Sequence, residues 1–470
     1  MFSADALEAP GSLNWDIPFS NQPTIPKTLE GSGVNCEVKR FDCLYNADGE
    51  IITVSAGQSI KAKNKSQYEE SALVFTRFWS RSDEVQSTSL EVKSPYMKAA
   101  MKATIPEYKS FDIRIKHITI YNQPRCLFHY REELTAYGSV LETQDPQAAE
   151  HVHFLLQYMW EELTVQTVDF FVGVEMASEG KRPSLECSNL WMAFRPGDLV
   201  YVRKDTTSAT QHDRLFRFGS MSQNYDGSWG MGGWYRRYSN GRVSSAPFNY
   251  RVSQYSGHRA LQDLPAVSLR YHSDAVAIKE RLTARGRKYA SLQRRKLLRY
   301  DGVAQLAKEN VLIQGCFMAD PQGEAADEDS DEDSDAGSGE EVAESDIYEE
   351  ETDRAENNRH SPMDANEYAI CDYEIRGYCL RHNQWGKFAV ELISDPKFEP
   401  EVFDGLILAE DCKQQLLSLV SVHNDERMNF DDLVRGKGKG LIFLLYGEPG
   451  VGKTLTAGIA IPSKFLSSRD

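Results

Sequence analysis

The stretch GLIFLLYGEPGVGKTLTA, from Gly440 to Ala457, decides the predicted fold of this 470-residue chain. Residues 441–446 are a continuous apolar run, which is typical of a strand buried on both faces of a parallel sheet. A glycine-rich loop follows it, and KTLTAGIA after the loop is suited to start a helix. The order of strand, loop and helix therefore predicts the beginning of an α/β P-loop module.

The loop carries a phosphate-binding pattern. Its sequence from Gly447 to Thr454, GEPGVGKT, fits G-x-x-x-x-G-K-[ST], the Walker A pattern. Glycines let the backbone curl so that successive N–H groups bind phosphate oxygens, and Lys453 can reach the β- and γ-phosphates. The Thr454 hydroxyl can bind Mg²⁺ and is the predicted metal ligand. The predicted nucleotide-binding residues are Gly447, Gly450, Val451, Gly452, Lys453, Thr454 and Leu455.

The phosphate-binding loop is also the last part of a longer segment that resembles a known family. The segment VFDGLILAEDCKQQLLSLVSVHNDERMNFDDLVRGKGKGLIFLLYGEPGVGKTLTA resembles the start of an AAA ATPase module. Combined with LWMAFRPGDLVYV and RLTARGRKYASLQ, it resembles an AAA family common in filamentous fungi, whose members carry an uncharacterised N-terminal domain before the ATPase. The resemblance covers roughly residues 106–457. It implies Mg-ATP, ATP hydrolysis by the full-length family, ring-type oligomers and ATP-driven remodelling of a macromolecular partner.

The sequence after Ala457 departs from the AAA pattern. It reads GIAIPSKFLSSRD, and Pro462 would end a helix there. The resemblance implies that a Walker B acid, a sensor residue and an arginine finger should follow the phosphate loop, and this stretch supplies none of them. We therefore expect the N-terminal part of an AAA ATPase, truncated after Walker A, that binds Mg-ATP and has no catalytic residue of its own. The alternative is a non-catalytic interaction protein with a vestigial phosphate loop.

Charge divides the chain into regions. The net charge is -17, and residues 324–356 hold 17 acids against one base, Arg354. Such a segment cannot bury enough apolar surface to offset its chain entropy, so it predicts a disordered acidic linker. The predicted regions are a largely disordered N-terminal region with short strands (1–105), an α+β domain (106–320), the acidic linker (321–365) and the incomplete AAA module (366–470).

Hydrophobic periodicity predicts two helices in the α+β domain. PQAAEHVHFLLQYMWEELT, starting at Pro146, faces the core with Val152, Leu155, Leu156, Met159 and Leu163. Residues 273–299 face it with Ala275, Ile278, Leu282, Tyr289 and Leu292. Gly286 is expected to weaken this second helix by roughly 1 kcal/mol relative to alanine.

Alternating and apolar runs predict strands in the same domain. They are FDIRIKHITIY, TVDFFVGVEM, NLWMAFRPGDLVYVRK, RLFRFGSMSQ and WYRRYSNGRV, with a tight turn at Pro196-Gly197-Asp198. In the last region, EIRGYCLRHNQWGKFAVELI predicts a hairpin, and AEDCKQQLLSLVSVHND predicts a helix.

Two segments have features of nucleic-acid binding. In DGSWGMGGWYRRYSNGR, residues 226–242, aromatic rings could stack on bases beside arginines, although a glycine-rich loop and a core-packed strand are favoured. Residues 279–299 hold nine Lys or Arg against Glu280, and a solvated helix face is favoured there. The partner is thus expected to be an unidentified protein or nucleic acid.

Cysteine usage and hydropathy indicate the compartment. The eight cysteines are scattered without a C-x-x-C pair, as expected of reduced thiols in an intracellular protein, and a zinc site is not expected. His151 and His153 are expected on a helix surface or at an interface. No run of about 20 apolar residues and no signal peptide occur, so a cytoplasmic or nuclear protein, not a secreted one, is predicted.

Overall fold

A computed structural model gives the architecture of the chain. It describes residues 33–45, 51–55, 70–106, 108, 117–176, 182–204, 210, 212–239, 242–307, 309–321, 363–396, 410–415, 418, 444 and 446. The chain divides into two compact units. The first comprises Met1–Gln293 with Glu324–Glu374, and the second comprises Arg294–Gly323 with Ile375–Asp470.

The first unit begins with a five-stranded sheet. Its strands are β1 (Asn35–Tyr45), β2 (Ile51–Ser55), β3 (Ser71–Trp79), β4 (Val85–Val92) and β5 (Ile118–Tyr121). They lie in the order β2-β1-β3-β4-β5, with β1 parallel to β3 and antiparallel pairing at the other ladders. Residues 33–106, where a largely disordered region was predicted, thus contain most of this sheet. Only its last four residues belong to FDIRIKHITIY, whose residues 111–116 lie outside the described part.

A layer of helices follows. It comprises α1 (Pro95–Thr104), α2 (Arg125–His129), α3 (Arg131–Glu142), α4 (Pro146–Glu162) and α5 (Thr164–Phe170), and α5 continues into a π-helical turn, Phe171–Glu175. The Asp145 carboxylate caps α4 by accepting from the N–H groups of Gln147 and Ala148, and Pro146 stands at the first helical position. The predicted core face of α4 is confirmed, because all five of its residues are buried.

The prediction of a strand in TVDFFVGVEM is wrong. These residues belong to α5 and the π-helical turn. Its valines favour strands locally, but burial follows a helical period, since Thr167, Phe170 and Val174 are the buried members. Packing against the core therefore decided the conformation over local propensity.

A second five-stranded sheet completes the core of the first unit. The next strands in the chain are β6 (Ser184–Glu186), β7 (Leu199–Val202), β8 (Arg214–Gln223), β9 (Trp229–Ser239), β10 (Arg242–Val252), β11 (His258–Ala260) and β12 (Ala266–Ser268). The sheet has the order β10-β9-β8-β7-β12 and is antiparallel, while β6 and β11 form a separate two-stranded ribbon. All four residues of NLWM, predicted as part of a strand, lie in a 3₁₀ helix, Cys187–Ala193.

The predicted turn at Pro196-Gly197-Asp198 is confirmed. Gly197 has φ +92°, a left-handed conformation that suits glycine. The Asp198 carboxylate accepts from the Arg195 N–H and from the Ser268 hydroxyl, each at 3.3 Å. The turn thereby directs the chain from the 3₁₀ helix into β7.

Helix α6 (Ala275–Ser291) packs on this second sheet together with the short helix α7 (Ala365–Ala369). The predicted core face of α6 is confirmed, since all five of its residues are buried. The helix ends eight residues earlier than predicted, because the chain enters a strand at Lys296.

The second unit contains a small closed barrel. Its strands are β13 (Lys296–Leu306), β14 (Glu309–Ala319), β15 (Glu374–Cys379), β16 (Gln384–Ala389) and β17 (Ile393–Ser394). They have the order β14-β15-β16-β13-β17, and β13 also pairs with β14, which closes the sheet. The predicted hairpin is confirmed as β15 and β16. The rings of Phe317 and Phe388 stack at 4.0 Å in its interior.

The predicted fold class is wrong. Strand residues outnumber helical residues among the described residues, which form sheets and a small barrel rather than an α/β P-loop module. In the predicted buried strand 441–446, the described residues are Leu444 and Tyr446, which are in no strand and are 91% and 97% exposed. An apolar run becomes a buried strand only where neighbouring strands cover it.

Candidate functional site

The predicted nucleotide site lies outside the described residues. This applies to Gly447, Gly450, Val451, Gly452, Lys453, Thr454 and Leu455 alike. In the predicted helix before it, residues 410–415 and 418 are helical. The Walker A loop and its metal ligand therefore remain predictions from sequence.

A polar pocket of about 280 Å³ lies in the first unit. It is formed where the chain leaves β6, at the turn between β8 and β9, and in the loop before β11. Its lining residues are Glu186, Cys187, Ser188, Gln223, Gly227, Gln254, Tyr255, Ser256 and Gly257. Amide, hydroxyl and carboxylate groups dominate this set, so the pocket can hold a small polar ligand through hydrogen bonds.

Two positions shape the pocket through their backbone. Gly227 has φ +76°, and a Cβ there would lie 2.6 Å from the side chain of Gln254. Gly257 has φ +68°. Both conformations are rare for residues with a side chain. Gly227 thus permits the close approach of Gln254, and Gly257 permits the turn in the loop before β11.

Asp226 holds the turn between β8 and β9. Its carboxylate accepts from the Ser228 hydroxyl at 2.6 Å and from the Ser228 N–H at 3.1 Å, and it pairs with Arg251. The hydrogen bond from the Ser228 hydroxyl is the main cause that lowers the pKa of Asp226. The charged carboxylate therefore fixes one wall of the pocket.

His258 connects the pocket to the helical layer. Its Nε2 lies 2.7 Å from Asp169 Oδ1, and its Nδ1 lies 3.9 Å from Glu186 Oε1. Asn189 donates to the other oxygen of Asp169 at 2.7 Å, which fixes that carboxylate. Asp169 therefore holds one ring nitrogen of His258, while the other lies beyond hydrogen-bond distance of Glu186. The histidine thereby ties β11 to the helical layer beside the pocket.

Two other histidines lie in the core. His151 Nδ1 is 3.0 Å from Ser94 Oγ, the hydroxyl that caps α1, and both residues are buried. His129 lies between Tyr108 Oη and the Trp191 carbonyl, each at 3.0 Å, and burial lowers its pKa to about 3. Neither is open to substrate. The predicted surface or interface position is therefore wrong for His151, which is buried in the core, whereas His153 is half-exposed near Glu142.

No group of three or more His, Cys, Asp or Glu side chains that could hold a metal ion occurs among the described residues. All eight cysteines are free thiols.

The favoured interpretation of residues 226–242 is confirmed for Trp229 and Tyr235, which pack in or against the core, but Gly230, Gly232 and Gly233 lie in β9 rather than in a loop. Trp229 is fully buried and donates from Nε1 to the Cys187 carbonyl at 2.7 Å. Tyr235 packs edge-on against Phe248. Arg236 hydrogen-bonds Ser245 and pairs with Glu367. These groups stabilise the sheet and α7 rather than presenting a surface to bases.

The basic segment 279–299 is not one solvated helix face. It is divided between α6 and β13, and Arg281 and Arg285 of α6 both bind Asp213. Arg285 is 4% exposed. Sequence reasoning missed this network, since Asp213 is 68 and 72 residues away and nothing near it indicates its partners.

One family model matches the chain. It is described as a domain of unknown function (DUF7025) and matches residues 175–273, which include the polar pocket and the second sheet. No curated protein and no protein of solved structure matches. Among the described helices, none is long and apolar enough to cross a membrane.

Proposed function

We propose that the chain binds Mg-ATP through its Walker A loop, as the N-terminal part of an AAA-type ATPase subunit that remodels a macromolecular partner. The observation that carries this proposal is the complete pattern from Gly447 to Thr454. Backbone N–H groups of the loop would hold the phosphates, and Lys453 would neutralise the terminal ones. The domain predicted at residues 106–320 would recruit the partner.

The donor chemistry of the loop fits magnesium. Mg²⁺ prefers oxygen ligands and is commonly held by substrate phosphates and few protein groups. The Thr454 hydroxyl provides one such oxygen. Thr454 would hold magnesium, which would offset phosphate charge when bound.

Equilibrium binding of a fluorescent ATP analogue, with and without Mg²⁺, tests the proposal. Lys453→Ala should weaken binding at least tenfold, because a charge-assisted contact to the phosphates is lost. The matched control is Lys464→Ala, which removes a lysine outside the pattern and should bind like the wild type. Equal binding by the two variants would contradict the site. Turnover measured in parallel would show whether binding leads to hydrolysis.

A second candidate is a non-catalytic interaction protein with a vestigial phosphate loop. Leu444 and Tyr446 favour it, since both are almost fully exposed next to the loop. Absence of nucleotide binding by the wild type as well as by both variants would support this second candidate.

A further inference from the structure

Helix α5 and its π-helical turn carry a stripe of exposed apolar side chains. Val165, Val168, Val172 and Met176 are between 58% and 78% exposed and recur every three to four residues. Contiguous exposed apolar groups commonly mark sites of protein interaction. The stripe belongs to the same segment whose other side, through Phe170 and Val174, packs into the core.

A groove of about 390 Å³ adjoins this stripe on α4. Its lining residues are His153, Leu156, Gln157, Trp160, Glu161 and Thr164. Helical hydrogen bonding continues from α4 into α5, because the Leu163 N–H donates to Met159 and the Thr167 N–H donates to Leu163. Groove and stripe therefore form one surface, which we call the α4–α5 face: the six groove residues together with Val165, Val168, Val172 and Met176.

The segment that carries this face has ionisable side chains of mainly one sign. Residues 132–176 contain no Lys or Arg. Their acids are Glu132, Glu133, Glu142, Asp145, Glu150, Glu161, Glu162, Asp169 and Glu175. Several have internal roles, such as the pairs Glu133–Arg195 and Glu162–Arg40. Glu150 and Glu161 are exposed and eleven residues apart, about three helical turns, so they lie along the same side of α4.

We propose that the α4–α5 face binds a basic amphipathic helix of a partner protein. The apolar side of that helix would lie in the groove and on the valine stripe, as in other helix-in-groove complexes. Its Lys or Arg side chains would reach Glu150 and Glu161, which provides electrostatic complementarity. Nucleic acids and anionic bilayers are poor occupants, because their phosphates would meet this acidic surface. The assignment is independent of nucleotide binding.

A designed peptide tests the face with the full chain. The probe is a fluorescein-labelled 18-residue peptide of Leu and Lys, patterned so that Leu occupies one helical side. Fluorescence anisotropy at physiological salt should show at least tenfold tighter binding than for a scrambled peptide of the same composition. The same pattern with Glu in place of Lys should bind at least tenfold more weakly.

Matched variants locate the binding site. Val168→Lys should weaken binding at least tenfold, whereas Val276→Lys on α6 should not, although Val276 is equally exposed at 57%. Glu161→Lys should weaken binding, and Glu280→Lys, an exposed glutamate on α6, should not. Lys453→Ala should bind the peptide like the wild type, which separates this face from the nucleotide proposal.

Four results would overturn the assignment. Two of them are no peptide binding by the wild type and equal peptide affinity of Val168→Lys and Val276→Lys. Another is equal affinity for patterned and scrambled peptides. The last is a dimer in sedimentation analysis that Val168→Lys converts to monomer, because a second copy of the chain would then occupy the face.

Discussion

A Cβ atom at Gly286 would lie 1.8 Å from the carbonyl oxygen of Tyr368. The glycine thus permits the segment of α7 to lie directly on α6. Around this contact, Thr283 donates to the Ala365 carbonyl at 3.2 Å, and Arg214 pairs with Asp372 at 2.9 Å. A residue that weakens α6 by helix propensity therefore permits the contact between α6 and α7.

Gly286→Ala should destabilise the protein despite the better helix propensity of alanine. The gain of about 1 kcal/mol is smaller than the roughly 1–3 kcal/mol cost of overpacking against backbone. Urea unfolding should show a lower free energy of unfolding. The control is Gly138→Ala in α3, where the new Cβ would lie 3.1 Å from the half-exposed His153 side chain and 3.3 Å from Cγ1 of the buried Val152. Both contacts are much longer than the 1.8 Å contact at Gly286, so Gly138→Ala should cost less stability than Gly286→Ala. Stabilisation by both variants would contradict the contact.

Asp213→Asn should lower the free energy of unfolding by about 3 kcal/mol at pH 7, since a buried charge pair loses one partner. Burial by itself raises the pKa of Asp213, but hydrogen bonds from Arg281 and Tyr201 outweigh it, so the pKa is lowered in the folded state. This stabilisation is present above the unfolded pKa near 3.9 and is lost as pH falls through the lower folded value.

Urea unfolding should therefore show that the difference in free energy of unfolding between wild type and Asp213→Asn becomes smaller below about pH 4. Asp263→Asn, which removes a surface pair with Arg182, is the control and should change stability by less than about 1 kcal/mol. A constant difference from pH 7 to pH 3 would show that the charge of Asp213 is not the cause.

Stability should fall on acidification because His129 stays neutral in the folded state. Its folded pKa is about 3, whereas an unfolded histidine titrates near 6.5. The unfolded state alone takes up this proton between those values, so stability decreases as pH falls, by up to about 1.4 kcal/mol per pH unit. The free energy of unfolding of His129→Gln should depend less on pH than that of the wild type between pH 6.5 and 4.5. His153→Gln should keep the wild-type dependence. The same slope in all three proteins would exclude His129 as the cause.

Replacing either of two neighbouring glycines in β9 with alanine should have opposite effects on stability. A Cβ at Gly233 would lie 2.3 Å from the Arg217 carbonyl oxygen and 2.7 Å from the Phe216 ring. A Cβ at Gly232 would meet nothing closer than 3.6 Å. Gly233→Ala should therefore lose about 2 kcal/mol of stability, whereas Gly232→Ala should be neutral or gain up to about 1 kcal/mol. Thermal unfolding of the two variants provides the comparison, and equal melting temperatures would contradict the packing at Gly233.

Periodicity predicted the elements whose burial is regular. The core faces of α4 and α6 and the hairpin β15–β16 could be read directly, because a period of 3.6 or 2 is a property of the local sequence. The segment from Thr167 to Met176 was misread since its valines favour a strand, and only the core around Phe170 selects the helix. The polar pocket was not foreseen, because its lining comes from three loops separated by up to about 70 residues.

The sequence by itself determined the Walker A pattern, the acidic segment 324–356, the turn at Gly197 and the buried faces of the long helices. These depend on local spacing, composition and backbone freedom. Only the tertiary structure decided that Arg281 and Arg285 bind Asp213 and that the Tyr368 carbonyl packs against Gly286. It also decided that acidic side chains and valines lie together on the α4–α5 face. Such contacts depend on which distant segments the fold brings together, and short-range patterns do not encode them.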